Sequence, residues 1–458
     1  MLFHTTIRED VRFPGRCVGR AEPAQDMEHS RFAFIALCCY LVTQVIYVPV
    51  LPFGPSWAVW PAPSDFAVIL LAVSIPFGYL RVRKVSKPAG RLFRLLFIVL
   101  LGMAFSYLIT SLQSAISIGG DQKQSDIGLF QIFQFAKFVL VFWVAAGIPL
   151  SDSRLRILAN LVDAVFLLVF LGIIGTYTSV LETYMFVGHL PPDPGISGPW
   201  ASLFRDQPDV GTMGYNHAYV ALQLIMLSSL SMSLRPLRGS VVSAIYLMLA
   251  GVGTFLSGSR AGMVALLLLL TAFFVRKPVM AFTIAIFGAI LFLAGPSLMD
   301  NPNLGIETTA QRYTALRNPL QFDSLSGRPQ IWGNAYNLLA ENPVRWVIGA
   351  GPGIAALIGS NAHMLYLHIL VEAGLIGLAV FFYIMHKIIT YLARHEEGTK
   401  PILVATFAFL VSSLTQETFY PIPAFGHFLG LYLCALGIVF ARTRTADSMP
   451  AYRRRRNA

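Results

Sequence analysis

Arginines and a histidine gather in one polar segment, residues 298–363, of this chain of 458 residues. The segment holds Arg312, Arg317, Arg328 and Arg345, and it ends at His363, where an apolar segment begins. A neutral imidazole can take a proton from a sugar hydroxyl while guanidinium groups hold a leaving diphosphate. These residue types predict chemistry at a membrane surface, in which fixed positive charges do the work of a metal ion.

Further polar residues lie at the starts of other apolar segments. Arg260 ends the turn SGSR and opens an apolar segment, and Asn216 and His217 open another after a loop that carries Arg205. An arginine at a helix end can simply extend to the membrane surface. The positive-inside rule disfavours that explanation on the outer face, so we count Arg260 among the candidate catalytic residues. The simplest account of Asn216 and His217 is a helix start, and we keep them with Arg205 as candidate substrate-binding residues.

Within the polar segment, the pattern after Arg328 predicts a short helix. Pro329 suits a first helical turn, apolar residues recur on one face up to Glu341, and Asn342-Pro343 stops the helix. Arg328 then lies at a helix start, where guanidinium and backbone N–H groups suit a phosphate. The cluster GAGPG that follows could add backbone donors, but it lacks the lysine and hydroxyl residue of a nucleotide-binding loop.

Composition indicates a polytopic membrane protein. The chain is 55% hydrophobic and 12% charged, which a soluble domain of this size would not show. Its net charge of +11 lies in short clusters beside apolar segments and in the tail RRRR, which favours lipid and topology over nucleic acid. We expect no metal site, no cofactor, no disulfide in the polar segment and no cleavable secretory signal.

Apolar segments long enough to cross a bilayer predict an all-α bundle of about 12 transmembrane helices with a large periplasmic loop containing short helices. We divide the chain into a basic cytoplasmic leader, nine transmembrane helices, the loop, three further helices and a basic cytoplasmic tail. The boundaries are 1–31, 32–297, 298–363, 364–441 and 442–458.

The charges of the connecting segments predict the topology. With the amino terminus in the cytoplasm, every inner loop is basic, which predicts an inner-membrane protein with both termini cytoplasmic. Four polar features then share the outer face: the loop at 181–216, the turn ending in Arg260, the long loop, and the turn after Glu417. Because helices satisfy their own backbones in lipid, these features predict a cleft open to the periplasm and the outer leaflet.

Three sequence blocks in order resemble the O-antigen ligase and polymerase superfamily of bacterial envelopes. They are SGSRAG, GRPQIWGNAYNLLAENPVRWVIGAGPG and NAHMLYLHILVEAGLIGL, within roughly 210–440. The resemblance implies metal-independent transfer of glycan from undecaprenyl diphosphate to an acceptor hydroxyl. It implies functional roles for the residues matching Arg260, Arg328 and His363. His363 to Gly374 to Gly377 keeps the spacing of the ligase branch, whereas Met364 departs from its polar second position.

The resulting hypothesis is an inverting glycosyltransferase, either an O-antigen ligase or a polysaccharide polymerase. His363 is its general base, and Arg260 and Arg328 bind the diphosphate, with Arg312, Arg317 and Arg345 as helpers. Its partners are the lipid-linked glycan donor, membrane lipids, and a glycan or lipid A-core acceptor. The acceptor stays open between these.

Two other functions compete with this hypothesis. A transporter or lipid-glycan flippase also suits twelve helices, but it should place its polar residues at the bilayer midplane. A non-catalytic scaffold is the third possibility.

Lys137, Asp163 and Glu372 are charged residues within apolar segments, and each requires a partner. Structural pairing of Glu372 competes equally with a catalytic role.

Overall fold

The structure is a computed structural model, and it describes residues 30–46, 61–75, 85–116, 122–177, 217–235, 240–274, 328–357, 362–421 and 428–447. Within these ranges all regular elements are helices and no strand is present, which confirms the predicted all-α class. The α-helices are α1 (Arg31–Thr43), α2 (Pro63–Ser74), α3 (Lys87–Ile116), α4 (Gln122–Gly147), α5 (Asp152–Tyr177), α6 (His217–Leu234), α7 (Ser240–Leu256), α8 (Arg260–Phe274), α9 (Arg328–Ala340), α10 (Pro343–Ile348), α11 (Leu365–Arg394), α12 (Glu396–Ser412) and α13 (Phe428–Asp447).

Several described helices are apolar enough for a membrane. Four are also long enough to cross one: Lys87–Leu112, Ile127–Gly147, Asp152–Gly175 and Leu365–Arg394. Six shorter apolar helices accompany them in the described part of the chain. The last helix predicted before the polar loop, at 279–297, lies outside the described residues, and described helices overlap the other predicted apolar segments. The number of twelve spans stays a prediction.

Helices α6 and α13 occupy the centre of the bundle, whereas α3 lies at its outside. All side chains of α6 from 218 to 234 are buried, and α13 packs along α4 through close contacts at its glycines. A Cβ at Gly437 would lie 2.8 Å from the carbonyl oxygen of Phe142, so only glycine allows this approach. On α3, by contrast, Ile98 and Phe105 are more than 60% exposed, as expected for a surface that faces lipid.

Buried charges within the bundle are paired. Lys137 on α4 forms an ion pair with Asp65 on α2, and the other oxygen of Asp65 accepts a hydrogen bond from the N–H of Ala62 at 2.6 Å. Asp163 on α5 pairs with Arg235 at 3.1 Å. Lys137 and Asp163 therefore each have a separate partner, and both serve the architecture of the bundle.

Arginines at one end of the helices bind backbone oxygen atoms of neighbouring helices. Arg154 donates to the Pro149 carbonyl at 3.0 Å, Arg442 donates to the Ser233 carbonyl, and Arg444 lies 3.4 Å from the Ile148 carbonyl. We name this the basic end. Arginines here close helix termini, which is the position that cations favour.

Near the opposite end, the GAGPG loop fastens a break in α11. Gly374 interrupts the helix with φ of 67°, and the N–H groups of Ala350 and Gly351 donate to the carbonyl oxygens of Val371 and Glu372 at 2.8 and 3.0 Å. Gly349, with φ of 78°, donates to the Arg345 carbonyl. The interpretation of GAGPG as a source of phosphate donors is therefore wrong, because these amides are used within the protein.

Candidate functional site

The turn before α8 places Arg260 at the first position of that helix. Gly258 adopts φ of 67°, and Ser259 caps the helix by accepting a hydrogen bond from the N–H of Gly262 at 2.9 Å. Gly262 is required because a Cβ there would meet that of Ala221 on α6 at 2.5 Å. The motif SGSRAG is thus a compact helix start that holds the arginine beside α6.

The predicted helix after Arg328 is confirmed as α9, and its first residue is Arg328. Its inner face, at Ala335 and Leu339, is buried against Val371 of α11. One turn after Arg328, the indole N–H of Trp332 donates to the carbonyl oxygen of Ala362 at 2.9 Å. This hydrogen bond fastens the residue before His363 to the helix that carries Arg328.

His363 has the single positive φ among the non-glycine residues of the described part, at 50°. Left-handed backbone of this kind is uncommon outside glycine, and it concentrates at functional sites. Just beyond it, the N–H of Leu365 donates to the carbonyl oxygen of Ser413 at 3.0 Å, which ties the start of α11 to the end of α12. Hydrogen bonds at Ala362 and Leu365 therefore fix the backbone on both sides of His363, whose imidazole is partly buried.

The charge of Arg260 acts on Arg328, and the charge of Arg328 acts on His363, so an electrostatic influence links the three residues in sequence. Burial lowers the pKa of Arg328, and the positive charge of Arg260 lowers it further, although the guanidinium stays charged. Burial also lowers the pKa of His363, and Arg328 and His368 add to this effect while Glu417 opposes it. The lowered pKa favours a neutral His363 imidazole at pH 7, under the influence of the Arg328 guanidinium.

Glu417, in the turn after α12, also acts on His363 and so belongs to the candidate site, although its sequence position indicated only that turn. Its side chain is 0% exposed, and neither of its oxygens has a hydrogen-bond partner among the described residues. Nδ1 of His368 lies 3.7 Å from Oε1, which suits an ion pair but is too long for a hydrogen bond. Burial alone would raise the pKa of Glu417, but His368 and His363 lower it overall. The signal in the sequence was a lone carboxylate between two apolar segments.

Glu372 is the second carboxylate beside His368, and its partners are structural. One oxygen accepts from the N–H of Gly353 at 3.1 Å and from the amide of Gln131 at 3.3 Å, and the other accepts from the Tyr420 hydroxyl at 2.5 Å. Nε2 of His368 lies 3.2 Å from Glu372. The structure thus favours the structural explanation for Glu372.

The other predicted binding residues are not brought to this cluster by the described part of the chain. Arg345 donates to the Leu338 carbonyl at 2.8 Å and to Glu341 at 2.7 Å, which closes the corner between α9 and α10. Its role as a helper stays a prediction. The remaining candidates, and the side chain of His217, lie outside the described residues: Arg205, Asn216, Arg312 and Arg317.

Fold and site together define an all-helical membrane protein with a cationic site where α8, α9 and α11 begin. Residues 245–382 match the family described as O-Antigen ligase, and this match confirms the O-antigen ligase and polymerase superfamily that the sequence motifs predict. The family indicates a glycosyltransferase-like ligase activity, with a glycan acceptor and a lipid-linked donor in general terms. No curated protein matches the chain.

Proposed function

We propose that this protein transfers a glycan from a polyprenyl diphosphate, such as undecaprenyl diphosphate, to an acceptor hydroxyl at the periplasmic face of the inner membrane. The observation that carries the proposal is that Arg260 acts on Arg328 and Arg328 acts on His363, with the three residues at or just before the starts of α8, α9 and α11. Two guanidinium groups that repel each other favour an anion beside them, and a diphosphate would add two negative groups to the charge of Glu417, which already acts on Arg328. The N-terminal dipoles of α8 and α9 add to this attraction.

In the proposed reaction, His363 takes the proton of the acceptor hydroxyl as that oxygen attacks the anomeric carbon. The bond from this carbon to the phosphate oxygen breaks at the same time, and the polyprenyl diphosphate leaves with the bonding electron pair. Arg260 and Arg328 stabilise the charge that grows on it, so fixed cations can serve without a metal ion. A single displacement of this kind inverts the anomeric configuration.

Glu417 supports His363 in this scheme as a positioning residue. Its carboxylate is fully buried within the described structure, which disfavours a role as the nucleophile of a double displacement. Its negative charge favours the imidazolium that forms when His363 accepts the proton. The placement of Arg260 and Arg328 at helix starts also speaks for a surface enzyme over a transporter, which would place such residues at mid-depth.

The test is a transfer assay in membranes that contain the lipid-linked donor and its acceptor. His363→Ala should lower turnover by about 10²- to 10⁴-fold, the usual contribution of a general base. His386→Ala is the matched control, because this exposed histidine lies on the same helix, towards the basic end. Turnover of the His363 variant close to wild type at equal protein levels would end the proposal, and inhibition by a chelator would contradict metal independence.

The same assay can assign the acceptor. In a strain that lacks the protein, accumulation of unlinked long chains would indicate a ligase, and single repeat units would indicate a polymerase.

A further inference from the structure

A cavity of about 460 Å³ lies at the basic end, far along α11 from the candidate site. Its walls come from the first turns of α3, the last turns of α11 and the end of α13, which is joined to α11 by the hydroxyls of Tyr391 and Thr443 at 2.5 Å. The volume falls in the range of small-ligand sites, which is roughly 300–1,000 Å³. Nothing in the proposed reaction uses this cavity.

Four cationic side chains line the cavity. Arg91 and Arg94 are one turn apart on α3, and Lys387 and Arg394 are two turns apart on one face of α11. All four are exposed, no acidic residue of the described part lines the cavity, and no ion pair joins them to a described carboxylate. The two walls therefore present concentrated positive charge to the space between them.

Topology alone does not account for this arrangement. The positive-inside rule requires basic loops, but it does not require cations to surround a cavity. The arginines that close helix termini at this end, Arg154 and Arg442, donate to backbone carbonyl oxygens. The four cavity cations make no such hydrogen bond within the described residues, although Lys387 lies 4.9 Å above the ring of Tyr383. Their charges are available to an external anion.

The surfaces beside the cavity indicate that this anion belongs to a lipid. Directly beyond Arg94, α3 exposes Phe97 and Ile98, and before Lys387, α11 exposes Phe382. Inside the cavity, Leu92 and Phe440 supply apolar surface. Cations at the end of apolar, outward-facing helices match the two parts of a phospholipid, whereas a water-borne phosphate would gain nothing from the apolar surface.

We propose that this cavity binds the headgroup of an anionic phospholipid from the leaflet at the basic end, with the phosphate among the four cations and the acyl chains along α3 and α11. Because α11 runs from this cavity to His363 and Glu372, the bound lipid holds one end of the helix that begins at the candidate site. The inference does not depend on the proposed transferase reaction.

The test uses the purified full-length protein in phosphatidylcholine nanodiscs, with phosphatidylglycerol added in steps and lipid retention measured by native mass spectrometry. We expect wild type to retain phosphatidylglycerol in preference to phosphatidylcholine. Arg91→Gln with Arg94→Gln should weaken retention by about fivefold for each cation removed. The pair Arg91→Lys and Arg94→Lys should keep most of it. Arg156→Gln is the matched control, because Arg156 is exposed near the start of α5 and does not line the cavity.

Equal retention of phosphatidylglycerol and phosphatidylcholine by wild type would overturn the proposal. So would equal retention of phosphatidylglycerol by the double Gln variant and the Arg156 variant. A third such result would be that inorganic phosphate alone stabilises the protein as much as phosphatidylglycerol does. The last would assign the cavity to a water-borne anion. If the α3 double variant fails to fold in phosphatidylcholine alone, Lys387→Gln with Arg394→Gln tests the opposite wall in the same way.

Discussion

His368 separates two buried polar regions that have opposite character. On one side, Glu372 accepts hydrogen bonds from Gln131, Gly353 and Tyr420. On the other side, Glu417 is equally buried, but both its oxygens are without a hydrogen bond among the described residues. Buried polar groups are normally hydrogen-bonded, so the second region requires an explanation that the first does not.

The region around Glu417 also contains a strained backbone and arginine charges that repel each other. His363 has left-handed backbone, and the charge of Arg260 disfavours the charged form of Arg328 by lowering its pKa. These features would all weaken a region whose purpose was to hold the fold together. The comparison therefore supports our proposal that α11 carries a structural carboxylate within the helix and a functional site at its start. Each prediction below tests that division.

The largest effect should follow from removing the guanidinium groups. Arg260→Gln and Arg328→Gln should each lower kcat/KM for the lipid-linked donor by about 10²- to 10³-fold, because each removes a donor that faces charge developing on the diphosphate. Steady-state kinetics in detergent or nanodiscs measures this. Arg156→Gln removes an exposed arginine near the basic end and should leave the rate unchanged. Equal losses of kcat/KM in all three variants would show that the rate depends on net charge in general and not on Arg260 and Arg328.

On the structural side, Glu372→Ala should destabilise the protein by about 3–5 kcal/mol, the usual cost of breaking a buried charged pair. Gln131, Tyr420 and the Gly353 N–H would lose their shared acceptor. A fall in Tm, measured by intrinsic fluorescence in detergent, checks this. Glu372→Gln keeps the shape and one acceptor oxygen, so its loss should be smaller. An unchanged Tm together with lost transfer would reverse the roles of the two carboxylates.

Local patterns predicted much of the fold. The helix at α9 follows from Pro329 in its first turn, apolar spacing that buries Ala335 and Leu339, and the stop at Asn342. These signals act within a few residues, so a sequence carries them completely. The partners of Lys137 and Asp163 could not be read in this way, since each depends on how separate helices pack.

Candidate site residues could be named from the sequence where they begin helices, whereas contacts that span the chain could not. The local sequence indicates a helix start at or just after Arg260, Arg328 and His363, which made these residues candidates for the site. Gln131 and Glu372 are 241 residues apart, a pairing that no local pattern indicates. The GAGPG amides were misassigned for the same reason, because their acceptors lie on the broken turn of α11.

A smaller effect is expected for Glu417→Gln, which removes the charge and keeps the shape. Glu417 raises the pKa of His363 against burial, so its loss should lower that pKa further and move the acid limb of the kcat/KM profile to lower pH. The rate depends on neutral His363 and falls as the pH falls through its pKa. We also expect kcat to fall about tenfold, because the imidazolium loses its negative neighbour.

Glu417→Gln should lower Tm because it breaks the buried ion pair with His368, but by less than Glu372→Ala, since the Glu417 carboxylate makes no hydrogen bond to a described residue that could be lost. A loss of stability as large as that of Glu372→Ala would show that both sides of His368 are structural. An acid limb that does not move would separate Glu417 from His363.

The smallest effect should come from Trp332→Phe, which keeps most of the ring and removes the hydrogen bond to the Ala362 carbonyl. That bond is worth about 1 kcal/mol, so His363 should spend more time away from its productive position and kcat should fall roughly fivefold. Trp346→Phe is the control, because Trp346 packs edge to face against Tyr336 of the same helix α9 that carries Trp332. If both variants lose the same activity, ring packing accounts for the effect. If only the Trp332 variant loses activity, and the loss is in kcat, the strained backbone at His363 is held for catalysis, because a purely structural hydrogen bond would change Tm instead.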